Sequence, residues 1–186
     1  MTATPGMAYD SVDARFRLLV DDDDGRGELE VRSARGAMAQ VVLPARLVRV
    51  VLVLFFARIE ADVSPRDVSV QPSWRVGRPT LLQFAAKLAL LGGKDKPMPV
   101  DGAATYLRMV NQRVRAAVAR AWPGAPAPKL VEQRQGGGLA APLEVPAFAS
   151  DAPGSLLSKL AATYAKTLAD QSLVDAFQQR LKEHLR

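Results

Sequence analysis

Apolar positions early in the chain come in short runs broken by acidic and glycine residues. Arg15–Val20 (RFRLLV) and Glu28–Ser33 (ELEVRS) read as strands, the second with a period of two. Asp21–Gly27 (DDDDGRG) between them is rich in turn-forming residues and predicts a hairpin connection. A turn at Ala34–Gly36 leads into a third strand, Met38–Val42. The period then changes. Leu47, Val48, Val51, Leu52, Phe55 and Ile59 recur at steps of three and four, which predicts a largely buried helix opened by Pro44 and ended by Ser64-Pro65.

Residues 65–79, with three prolines, Trp74 and Gly77, read as an irregular connection. Thr80–Leu91 (TLLQFAAKLALL) predicts a second helix, with Thr80 as N-cap and Gly92-Gly93 as its stop. A third helix is expected from Asp101 to about Ala121, closed by Trp122-Pro123-Gly124. After the stiff loop PGAPAP at 123–128, Lys129–Gln133 and Leu139–Val145 read as a β-hairpin with a glycine-rich tip at Gln135–Gly138. A Pro/Ser/Gly-rich linker at 146–155 precedes a last helical segment, Leu156–Leu185. There Leu156, Leu160, Tyr164 and Leu168 step by four, and Leu173, Phe177, Leu181 and Leu185 do so again after a jump of five. One continuous amphipathic helix fits this stripe. A break at Asp170–Ser172, with Ser172 and Asp175 as a capping box, fits it equally.

Composition removes many chemistries. The 186 residues contain no cysteine and one histidine, His184, so thiol catalysis, disulfides, cysteine-based metal sites and histidine triads are excluded. No enzymatic activity and no cofactor are expected. Asp21–Asp24 could hold a divalent cation or form a solvated hairpin tip. The longest apolar run, Val50–Ala57, has eight residues, and crossing a bilayer takes about 20. With polar sequence after Met1–Gly6 in place of a signal peptide, a cytoplasmic protein without membrane association is expected.

Charge is uneven. The net charge is +6, yet residues 75–134 carry eleven Lys/Arg against three acids, while residues 1–35 carry five Arg against eight acids. A localised basic surface favours polyanionic partners through counterion release, although a solvated face can look the same.

Strands, three helices and a hairpin follow one another as in a winged helix-turn-helix. Gly36–Phe56 (GAMAQVVLPARLVRVVLVLFF) is similar to the strand and first helix in the DNA-binding domains of OmpR-type bacterial regulators. Asp101–Val118 (DGAATYLRMVNQRVRAAV) resembles the third helix of those regulators and of antibiotic-regulatory-protein activators, with Arg113-Val114-Arg115 in the place of their Arg-Leu-Arg core. Lys129–Leu143 (KLVEQRQGGGLAAPL) resembles their wing, with Arg134 before Gly136–Gly138. The resemblance implies an α+β winged-helix domain over 12–146 with a small N-terminal antiparallel sheet. Residues 147–186 are then a linker and a C-terminal helical appendage. No receiver domain fits before the sheet.

At about 100° per residue, Leu107, Val110, Val114, Ala117, Val118 and Ala121 share a sector of the third helix that should pack on the core. Arg108, Gln112, Arg115 and Ala119 lie opposite, and Arg113 and Arg120 lie on a flank. Arg108, Asn111, Gln112 and Arg115 are of the types that read base edges. The expected DNA contacts are therefore these four, with Arg113, Arg120, Lys129 and Arg134 toward the backbone or minor groove. Sequence-specific binding of double-stranded DNA, as by a transcriptional regulator, is the expectation. The alternative is a winged-helix adaptor for protein partners, which the alanines at 116 and 117 suit because the family places Lys or Arg there. Leu156, Leu160, Tyr164, Leu168, Leu173, Phe177 and Leu181 need a covering surface, and a homodimer through them is expected. Packing back on the same chain is the other solution.

Overall fold

A computed structural model describes residues 15–32, 38–64, 81–124, 130, 132–133, 139–140, 147–148 and 154–184. Strands β1 (Arg15–Val20) and β2 (Gly27–Arg32) form an antiparallel hairpin, Phe16 opposite Val31 and Leu18 opposite Leu29. Strand β3 (Met38–Leu43) pairs antiparallel with β2, and its residues alternate between exposed and buried. Phe16, Leu18, Leu29, Val31, Val41 and Leu43 thereby fall on one buried face, as the period of two requires. On the other face Glu30, itself almost covered, is flanked by Arg17 and Arg32, with Arg32 Nη2 at 3.0 Å.

At the hairpin tip three of the four aspartate side chains accept backbone N–H groups. Asp21 Oδ1 accepts the Asp23 N–H and Asp24 Oδ1 the Arg26 N–H, while Asp22 Oδ1 reaches across to the Leu156 N–H at 3.0 Å. Gly25, at φ 70°, supplies the left-handed residue that closes the turn. The cluster works as turn former and helix cap.

Helix α1 (Ala45–Val63) starts after Pro44, whose carbonyl accepts the N–H groups of Leu47 and Val48. Every residue from Val50 to Ala57 is buried, because β3 and all four later helices pack against it. Helix α2 (Leu81–Leu91) ends in a Schellman motif. Lys94 N–H bonds the Ala89 carbonyl, Gly93 N–H bonds Leu90, and Gly93 sits at φ 73°. Residues 92–99 lead into α3 (Val100–Ala121), which starts one residue earlier than expected with Pro99 as its N-cap. The 65–79 connection and the Thr80 cap lie outside the described residues. Strands β4 (Glu132–Gln133) and β5 (Leu139–Ala140) pair antiparallel as a separate ribbon, and the rest of the hairpin expected at 129–145, apart from Leu130, lies outside the described residues.

The C-terminal part departs from two expectations, the linker and the cap of the last helix, and settles the break that the stripe allowed. Strand β6 (Ala147–Phe148), placed where a linker was expected, joins the sheet parallel to β1 and gives the order β3-β2-β1-β6. The last segment is two helices, α4 (Leu156–Ala165) and α5 (Gln171–His184). The cap at the break is Asp170, whose Oδ1 accepts the Leu173 N–H at 2.8 Å, and not Ser172. Much of the stripe expected to dimerise is covered within the chain, the other solution that its spacing allowed. Leu160, Tyr164, Phe177 and Leu181 are buried, and Leu156, Leu168 and Leu173 are half-buried. Bending at 166–170 folds α5 back so that both helices cover α1. One hydrophobic cluster takes Phe16, Phe56 and Val110 together with Leu157, Tyr164 and Phe177, so the core does not divide at 146. The appendage is core, and the architecture is α+β.

Candidate nucleic-acid interface

Helix α3 separates its faces as its sequence period demands. Ala103, Leu107, Val110, Val114, Ala117 and Val118 are buried, whereas Ala121, expected with them, is exposed as the last residue of the helix. Arg108, Gln112, Arg113, Arg115, Ala116, Ala119 and Arg120 are exposed. Asp101 in the first turn and Arg120 in the last both suit the helix dipole.

The two flanks are tied down differently. Arg113 Nη1 approaches the Val42 carbonyl at 3.4 Å, so one flank lies along β3, the open edge of the sheet. On the other flank Asn111 Oδ1 accepts the Leu130 N–H at 3.0 Å. Leu130 is fully buried, and this bond anchors the chain that enters the β4–β5 ribbon. Asn111 was expected among the base readers. It is half-buried and its side-chain carbonyl oxygen is engaged by Leu130.

The described contacts of the arginines are with neutral oxygens. Arg108 bonds the Ala104 carbonyl at 3.4 Å and Thr105 Oγ1 at 3.0 Å, both in its own helix, and Arg120 bonds the Ala116 carbonyl at 3.3 Å. Among the described residues none of Arg108, Arg113, Arg115 and Arg120 is paired with a carboxylate. Arg108, Gln112 and Arg115 share one side over seven residues, a rise of about 10 Å, which suits a groove about 12 Å wide. Lys129, Arg134 and the glycine tip lie outside the described residues.

A second polar constellation escaped sequence reasoning. Glu60 of α1, Lys87 of α2 and Tyr164 of α4 converge at the edge of the core, Tyr164 buried and the other two half-buried. Lys87 Nζ and Tyr164 Oη each stand 2.5 Å from Glu60 Oε2, and Lys87 Nζ is 2.7 Å from Tyr164 Oη. Lys87 Nζ also sits 4.4 Å from the centre of the Tyr164 ring. Burial, then the charge of Glu60 and its hydrogen bond, push the Tyr164 phenol well above its ordinary range and keep it protonated. The only sequence signals were a lysine within the apolar TLLQFAAKLALL and a tyrosine in a leucine stripe, each needing a polar partner that spacing cannot name.

No family model, curated protein or solved structure matches the chain.

Proposed function

We propose that the protein binds double-stranded DNA sequence-specifically as a transcriptional regulator of winged-helix type. In this reading α3 enters the major groove and the 129–145 ribbon lies against backbone or minor groove. One observation carries the reading: the exposed side of α3 holds four arginines and a glutamine with no carboxylate paired to any of the arginines among the described residues. A merely solvated helix usually offsets such charge with acids three or four residues away. Order supports it too, since strands, three helices and a ribbon follow one another. Arg108 and Arg115 carry base contacts with Gln112, and Arg113 and Arg120 carry phosphate contacts.

Fluorescence anisotropy with labelled duplexes tests this. Four phosphates neutralised give a slope of log affinity on log salt near ~−3.6, hence roughly a hundredfold loss between about 50 and 200 mM salt. Arg115→Ala should cost about 1–3 kcal/mol at the preferred site and relax choice at one base pair. Arg120→Ala should weaken all duplexes alike and reduce the slope by about one. Absence of duplex binding at low salt refutes the reading. That result favours a protein-interaction adaptor, to which the exposed Ala116 and Ala119 offer a shallow strip for a partner helix.

A further inference from the structure

One face of α2 presents Gln83, Ala86, Lys87 and Leu90, which the helical period brings together. The connection from α2 to α3 folds along that face, bringing Lys94, Lys96 and Pro97 to one side, and Thr167 at the corner between α4 and α5 stands at the other. The resulting cleft has a volume of about 290 Å³, at the small end of the range for organic ligands. Its walls are chiefly carbon, from Ala86, Leu90, Pro97 and the lysine stems.

Charge at the cleft is nearly but not wholly balanced. Lys87 is neutralised by Glu60 and steadied by Tyr164 Oη. Lys94 and Lys96 are exposed, and among the described residues neither ammonium is paired with a carboxylate. Asp95, also on the lining, offsets one of the two. One uncancelled positive charge therefore stands over an apolar floor. A phosphate dianion would want more donors and no carbon surface, and a neutral hydrocarbon would leave the ammonium groups unused.

We propose that this cleft binds a small aryl monocarboxylate, its ring on Ala86, Leu90 and Pro97 and its carboxylate between Lys94 and Lys96. The site stands apart from DNA binding, since nothing in it requires α3 to touch a duplex.

The probe is 2-naphthoate, titrated into the uniformly ¹⁵N-labelled full chain and followed by amide shifts. Saturable shifts confined to residues 83–97 and to Thr167 are expected. The neutral analogue 2-naphthylmethanol should bind at least about tenfold more weakly, as should 2-naphthoate to a Lys94→Gln/Lys96→Gln variant. Ala86→Phe, at an exposed position, should fill the cleft and abolish the shifts while leaving the circular dichroism and melting temperature unchanged. Four results overturn the proposal: no shifts up to the solubility limit, shifts centred elsewhere, equal affinity for the neutral alcohol, or displacement by equimolar inorganic phosphate.

Discussion

Replacing Phe177 with alanine tests whether the C-terminal helices belong to the core or merely rest on it. Phe177 is fully buried. Its ring stacks on Tyr164 of α4, with centroids 5.5 Å apart and planes at 16°, and meets Phe56 of α1 edge-on at 6.0 Å. Phe56 and Tyr164 are themselves 5.4 Å apart, so three helices meet at three mutually touching rings. Truncating a buried phenylalanine costs about 3–5 kcal/mol, the sum of lost transfer energy and the cavity left behind. The upper half of that range is expected for two reasons. Each aromatic contact adds about 0.5–1.5 kcal/mol beyond area. The cavity also cannot close readily, since α1 is held by β3 and all four other helices.

At about 2–4 °C per kcal/mol for a chain of this length, a cost near 4 kcal/mol lowers the melting temperature by roughly 8–16 °C. Urea and thermal unfolding followed at 222 nm measure it, with Gln178→Ala, exposed on the next residue, as the control expected within about 0.5 kcal/mol of wild type. A single transition displaced as a whole is expected. A cost below about 1 kcal/mol, or an early separate melting of α4 and α5, refutes the description of one shared core.

Light scattering at tens of micromolar should return a monomer mass, since the apolar stripe of 156–181 is already covered within the chain; a dimer that persists on dilution contradicts this. Tyr164 keeps its proton in the folded state after the unfolded phenol has begun to ionise near pH ~10, so its contribution is complete below that pH and is lost above it, by about 1.4 kcal/mol per pH unit. Melting temperatures from pH 9 to 11.5 should fall more steeply for wild type than for Tyr164→Phe, and parallel curves remove the phenol as the cause. Asp22→Ala should cost about 0.5–2 kcal/mol by removing the acceptor of the Leu156 N–H at the start of α4, where Ser155 is the N-cap, with Asp23→Ala as the comparison in chemical unfolding.

Periodicity made the sheet hairpin and the three central helices legible, because alternation by two and recurrence by three and four each report a single buried face. It does not report what covers that face. Leu160, Tyr164, Phe177 and Leu181 announced burial in their spacing, but whether a second chain or α1 lay against them depends on the bend at 166–170. That bend rests on Asp170 capping Leu173, a choice among three adjacent polar residues. β6 was illegible for another reason: two residues carry no period, and Ala147 and Phe148 pair with Leu19 and Val20 from 128 residues away. Glu60, Lys87 and Tyr164 lie 27, 77 and 104 residues apart, so their meeting is a property of the packed helices alone.

The same packing bears on the arginine face. A chain that had to dimerise through its C-terminal helices would owe the spacing of two α3 helices to that interface. Here the helices are consumed in holding α1, and α3 is oriented from within one chain by its buried side, by Arg113 on the β3 edge and by Asn111 on Leu130. The consequence for recognition is specific. If α3 reads DNA as proposed, a monomer would present one reading helix, so the preferred duplex should be a single half-site with no two-fold symmetry, and tandem sites should bind without dependence on helical phasing. Asn111→Ala leaves every arginine in place while releasing the ribbon from the helix flank. It should weaken binding in proportion to the ribbon's share of the contacts without changing base preference. A change of base preference returns Asn111 to the groove.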